Sequence, residues 1–161
     1  MAKSGNRRPP LPFIQALNPA EFESTWNDAP RLLRALNGAK LGAWYWDIES
    51  GRVSWSRGAQ ALFGFDPKQP LQKRLNYIEL IPEEDRAEVL QLFEQLLADN
   101  PSHHTARHRI HWPDGSLHWL EISGSLQQDA DGKPRVMGVI RDISEQQARE
   151  QALRSSEEKF A

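Results

Sequence analysis

Four histidines, His103, His104, His108 and His111, fall within nine consecutive positions, a density that raises the question of an imidazole metal site. The residues around His108 read as a strand, and on a strand His108 and His111 have opposite parity, so their side chains point to opposite faces. His103 and His104 fall in a loop after Pro101. These are read as surface or loop histidines, and no metal site is predicted. The cationic group Arg107, Arg109 and His111 reads as a solvated strand face. Trp44, Trp46, Trp55 and Trp119 could stack on a ligand, but a domain of this size needs large apolar side chains to fill its core, and core filling is the preferred reading. The chain has no cysteine, which excludes disulfides, thiolate zinc sites, iron–sulfur clusters and a cysteine nucleophile. There is no Gly-x-Ser-x-Gly elbow, no His-Glu-x-x-His and no glycine-rich phosphate loop, so no catalytic residue is predicted.

The 161 residues allow one domain of ordinary size with flanking segments. Twenty basic residues stand against 22 acidic ones, a balance that argues against nucleic acid or an anionic membrane as partner. No apolar run is long enough to span a bilayer, and no apolar stretch follows the basic residues of the N-terminus as in a secretory signal. A cytoplasmic protein is expected.

The elements that must position these side chains follow from periodicity. Residues 1–18, with Pro9, Pro10 and Pro12, are expected to be a flexible tail. Asn18-Pro19-Ala20-Glu21 opens a helical cap over 19–40, with Phe22, Trp26, Leu33 and Leu36 on one face, a break at Pro30 and an end at Asn37-Gly38. Leu41 to Ile48 and Arg52 to Trp55 read as two strands joined by Glu49-Ser50-Gly51. Ala59 to Phe63 reads as a short helix and Leu75 to Leu80 as a helical turn. Asp85 opens a longer helix to about Ala98, with Val89, Leu92, Phe93, Leu96 and Leu97 on its apolar stripe. Three strands close the domain, with Asp114-Gly115 and Asp131-Gly132 as hairpin turns. The last strand runs without a break into a polar helix, residues 145–161. Strands grouped at both ends of a helical middle imply an α+β fold, an antiparallel sheet with helices on one face.

Four motifs resemble the PAS domain family. Gly42-Ala43-Trp44-Tyr45-Trp46-Asp47 with Val53-Ser54-Trp55-Ser56 is similar to its opening hairpin. Ile81-Pro82-Glu83-Glu84-Asp85-Arg86 is similar to the start of its long helix, with one extra Glu. Arg109-Ile110 and Pro113 to Leu120 resemble its fourth-strand hairpin. Gly138-Val139-Ile140-Arg141-Asp142-Ile143-Ser144 resembles its closing strand, with Ser in place of Thr. The resemblance spans 41–144. It implies a five-stranded antiparallel sheet, dimerisation, and relay of a signal through the C-terminal helix to an output domain in the same chain, concerned with cyclic-di-GMP turnover or histidine phosphorylation. A ligand-free dimerisation adaptor is the alternative. Haem-binding members use a histidine on the pocket-facing helix, and Asp85 to Asp99 has none. Light sensors that form a flavin adduct need a cysteine. Non-covalent flavin or a small metabolite remains open as ligand.

Strand alternation puts His108 with Ile110 and Leu120 with Ile122. The expected pocket between the sheet and the long helix is lined by these four with Trp46, Phe63, Tyr77 and Val139. At the exit, Asp142 is expected to pair with an Arg or a backbone N–H. Ser144 is expected to be the N-cap of the outgoing helix, with Gln147 completing a capping box.

Overall fold

The computed structural model describes residues 16–17, 30–51, 53–66, 68, 75–98, 104–128 and 130–159. Phe22, Trp26, His103 and Phe160 lie outside these residues, as do the side chains of Leu96 and Leu97.

Five strands form one antiparallel sheet: β2 (Leu41–Asp47), β3 (Val53–Trp55), β5 (His104–His111), β6 (Leu117–Gln128) and β7 (Pro134–Asp142). Their spatial order is β3-β2-β7-β6-β5, so the last strand is central and the first of the five lies beside it. Two further pieces, β1 (Ala16–Leu17) and β4 (Leu75–Asn76), pair antiparallel with each other. The end of the expected tail thus carries a short ladder. Five helices lie among the described residues: α1 (Pro30–Gly38), α2 (Arg57–Leu62), α3 (Tyr77–Leu80), α4 (Glu83–Ala98) and α5 (Ser144–Lys159).

Local chemistry accounts for the boundaries. Pro30 opens α1, where a missing N–H costs nothing. The left-handed residue after α1 is Lys40 at φ 58°, not Gly38, and its N–H donates to the Asn37 carbonyl at 3.0 Å. Gly51 supplies the positive φ of the β2–β3 turn, held by the Asp47 carbonyl at 2.8 Å and by its carboxylate, which accepts from Ser50 N–H at 3.2 Å. Ser56 caps α2 and also accepts from Ala43 N–H at 2.8 Å, fixing the helix to β2. α4 starts at Glu83, two residues before the expected Asp85.

The inner face of the sheet carries Trp44, Trp46, Ala106, His108, Ile110, Leu120, Ile122, Val136 and Ile140. Against it pack Ala59, Phe63, Tyr77, Ile81, Val89 and Phe93 from the helical middle. Gly124 and Gly138 face each other across β6 and β7 and form the recess for Trp44, because a Cβ on Gly124 would lie 2.6 Å from its ring. The Trp44 indole N–H donates to the Ser123 carbonyl at 3.2 Å. On the outer face Glu121 bridges Arg107 at 2.9 Å and Arg141 at 2.7 Å, a charge ladder over three strands. Arg135 pairs with Asp47 and stands 5.5 Å above the Tyr45 ring.

Candidate functional site

Seven of the eight residues expected in a pocket lie on the inner side of the sheet or on the helices facing it: Trp46, Phe63, Tyr77, His108, Ile110, Leu120 and Ile122. Val139 does not. It is in register with Ala43 and Ser123 on the opposite face, between the inward-facing Gly138 and Ile140. Val139 thus departs from expectation, since β7 offers apolar residues at both parities and the register with the neighbouring strands decides which face inward.

The interior is an aromatic cage with one polar pair. Trp55 stacks on Tyr77 at 5.2 Å, and Phe63 meets both edge-on at 5.0 and 5.5 Å. Tyr77 and Phe93 meet the His108 ring edge-on at 5.5 and 6.1 Å. The Tyr77 hydroxyl is 2.9 Å from His108 Nε2, and His108 Nδ1 is 3.3 Å from the Arg109 carbonyl. A carbonyl only accepts, so Nδ1 carries the proton, Nε2 accepts, and Tyr77 donates. Burial among rings disfavours the imidazolium and holds His108 near a pKa of about 4, against small opposing effects of the Arg109 carbonyl and Asp85. Burial also pushes the Tyr77 phenol well above its ordinary value. The pair is therefore neutral at physiological pH. The Trp46 indole N–H and the Ser54 hydroxyl are buried with no hydrogen-bond partner among the described residues.

Beside the cage, Arg109 grips Asp85 through two bonds of 2.8 and 2.9 Å, with Glu84 at 3.6 Å. Arg109 and Arg107 are thus not the freely solvated cations expected of that strand, whereas His111 is exposed. The Arg109 guanidinium holds the Asp85 carboxyl below the usual range, and that carboxylate sits in the first turn of α4, where the helix dipole favours it. Among the described residues no cluster of His, Cys, Asp and Glu could hold a metal ion.

The second locus is the junction of β7 with α5. Asp142 accepts from Ser144 N–H at 2.8 Å, one of the partners expected of it. Ser144 departs from expectation. Its hydroxyl accepts from the Trp119 N–H at 2.9 Å, on the neighbouring strand, and the first helical bond runs from Gln147 N–H to the Ile143 carbonyl. Ile143 N–H donates to the Trp119 carbonyl at 2.9 Å, so both backbone groups of Trp119 hold the helix start to the sheet. His118 Nδ1 lies 3.5 Å from Asp142, and its ring stacks on Trp112 at 3.7 Å. The Trp112 indole N–H donates to the Leu62 carbonyl at 3.0 Å. Leu62 precedes Phe63 of the cage. A continuous series of contacts therefore leads from the aromatic interior through Trp112, His118 and Asp142 to the first residue of α5. A cleft of about 750 Å³ opens at this place, between α1, α2, the β5–β6 hairpin and the start of α5.

The model of the PAS fold family matches residues 52–140. The chain belongs to the PAS family. It is 28% identical over 112 residues to blue-light-activated histidine kinases of Brucella species such as Brucella ovis and Brucella abortus, 70% of this chain and 22% of theirs. The chain thus spans about a fifth of the length of these curated relatives. Among solved structures it resembles a sensory box histidine kinase/response regulator from Burkholderia thailandensis. That match has a TM-score of 0.64 and 27% identity, and it covers 81% of this chain and 97% of the other. The N-terminal domain of a Marinobacter aquaeolei diguanylate cyclase with a PAS/PAC sensor shares the fold at TM-score 0.54 and 18% identity, over 66% of this chain and 98% of that one. No described helix is long and apolar enough to cross a membrane.

Proposed function

We propose that this PAS domain is a sensory module that dimerises and relays a signal through α5 to an output domain further along the parent polypeptide. The observation that carries the reading is the double attachment of α5: Asp142 and the Trp119 backbone bind the helix start, and the Trp112–His118 stack joins it to the cage. A change in the packing of Phe63 or Tyr77 is thereby positioned to alter how the helix leaves the sheet. α5 suits the outgoing role, because its 16 residues make a rod of about 24 Å. All of its residues from 151 to 159 are exposed. The relatives at 28% and 27% identity favour a histidine kinase as the output, ahead of cyclic-di-GMP turnover. The chain lacks the thiol that flavin–cysteine adduct formation requires, which leaves a non-covalent flavin or a small metabolite as the ligand classes open to it. The homodimer surface is the outer sheet face, where Met137 is 38% exposed near Val139 and Tyr45.

In the full-length parent, Asp142→Ala with Ser144→Ala should reduce or uncouple output while the domain still melts cooperatively, at a local cost of about 1 kcal/mol per lost bond. Unchanged output and unchanged response in a folded variant would refute the relay.

A second reading, a ligand-free adaptor that only self-associates, draws support from the packing of Trp55, Phe63, Tyr77, Ile110 and Leu120, each with 0% exposure. Native mass spectrometry with an absorbance spectrum separates the two, since a co-purifying small molecule or a flavin band favours sensing.

A further inference from the structure

Apart from the interior cage, the cleft at the strand–helix junction has the makings of a site of its own, and we infer that it binds a small aliphatic carboxylate. Its volume of about 750 Å³ falls within the range of roughly 300–1,000 Å³ typical of small-molecule sites. Leu41, Ala61 and Leu62 give it an aliphatic lining. Trp112 also borders the cleft, but its ring is already engaged. His118 stacks on it, and Gly64 packs so closely that a Cβ there would lie 2.6 Å from Cγ. That leaves aliphatic surface as the main apolar contact for an occupant.

Charge selects the head group. The two carboxylates in the lining are engaged elsewhere, Asp142 by Ser144 N–H and His118, and Glu145 by a loose, solvent-exposed pair with Arg149 at 3.7 Å one turn along α5. Lys40 is not: its ammonium makes no ion pair or hydrogen bond among the described residues, and its backbone is held at φ 58° at the edge of the cleft. Arg57 also borders the cleft, but its side chain is already engaged, so Lys40 carries the charge argument. A cation left over beside an apolar cleft is complementary to an amphipathic anion. Asp142, Ser144 and Glu145 form part of the same lining, so an occupant would bear on the start of α5. That last consequence rests on the relay reading above, whereas binding does not.

The test is a titration of the isotopically labelled 161-residue chain with octanoate, with octanamide as the neutral counterpart, followed by backbone amide resonances. Saturable shifts are expected at Lys40, Leu62 and Ser144, with Ile110 and Ile122 unmoved. Lys40→Gln should weaken octanoate about tenfold and leave octanamide unchanged, because only the charged head group loses its partner. Absence of saturable shifts at low millimolar octanoate, shifts centred on Ile110 and Ile122, or octanoate binding indifferent to Lys40→Gln would each overturn the site. Binding without any change in the parent's output would leave the site standing and count against the relay.

Discussion

An imidazole enclosed by aromatic rings loses the water that would stabilise its cation, and among the described residues His108 has two polar contacts in exchange, both compatible with the neutral ring. The consequence for stability has a definite sign. The folded pKa of about 4 lies below the ordinary 6.5, so between these values the unfolded chain binds the extra proton. His108 therefore withdraws stability as pH falls from 6.5 towards 4, by about 3 kcal/mol in all, and has no pH effect above that window. Asp47, Asp85 and Glu121 have depressed folded values, and their contributions are lost at lower pH, as each is protonated in the folded state. Urea unfolding from pH 7 to pH 4 should show the His108 slope in the native chain and lose it in His108→Gln; equal slopes would contradict the buried neutral ring. His108 was legible as an inward residue through its alternation with Ile110, and its burial overturns the surface reading given to the histidines as a group. Val139 was not, because Val136, Met137, Val139 and Ile140 put apolar side chains at both parities of a central strand, where alternation carries no information. The Asp85–Arg109 pair joins residues 24 apart and leaves no mark in local periodicity.

At the scale of elements, the strands and helices were readable because turn chemistry brackets them: Gly51, Gly115 and Gly132 all adopt the positive φ their turns need. Ser144 shows where such reading fails. Ser-x-x-Gln before a helix fits a capping box, yet an unpaired N–H on the adjacent strand outcompetes the helix's own first turn for the hydroxyl. Long-range hydrogen bonds of this kind become visible only once β6 and β7 are in register. The same register makes the Gly124–Gly138 pair necessary, and it yields a sharp expectation. Gly124→Ala drives a methyl group into the Trp44 ring and should cost about 1–3 kcal/mol, read as a lower denaturation midpoint with shifted tryptophan fluorescence. A variant as stable as the parent protein would mean that Trp44 has room to move. The cleft beside Lys40 had no sequence signature, since its lining comes from segments more than 100 positions apart.

For the whole molecule, the inner face is closed by the chain's own helices while the outer face keeps Met137 exposed, an asymmetry that suits association through the outer side. Met137→Glu should shift the proposed dimer towards monomer in light scattering at unchanged melting temperature; a dimer that persists would place the contact elsewhere. The family and the sheet were both within reach of the sequence, because four motifs fall in order along one stretch. The ligand proposed for the cage was not, because shape rather than residue type decides it. The position of β7 has a further consequence, one of timing. β2 and β7 pair through residues as far apart as Leu41 and Arg141, so the sheet's centre stays open until almost all of the domain has left the ribosome. The two hairpins can form early as local structures, but each exposes an unpaired edge until Pro134–Asp142 arrives to join them. α5 follows within two residues of that strand. Closure of the sheet and synthesis of α5 are thus nearly simultaneous, and until then the domain is exposed as open-edged hairpins.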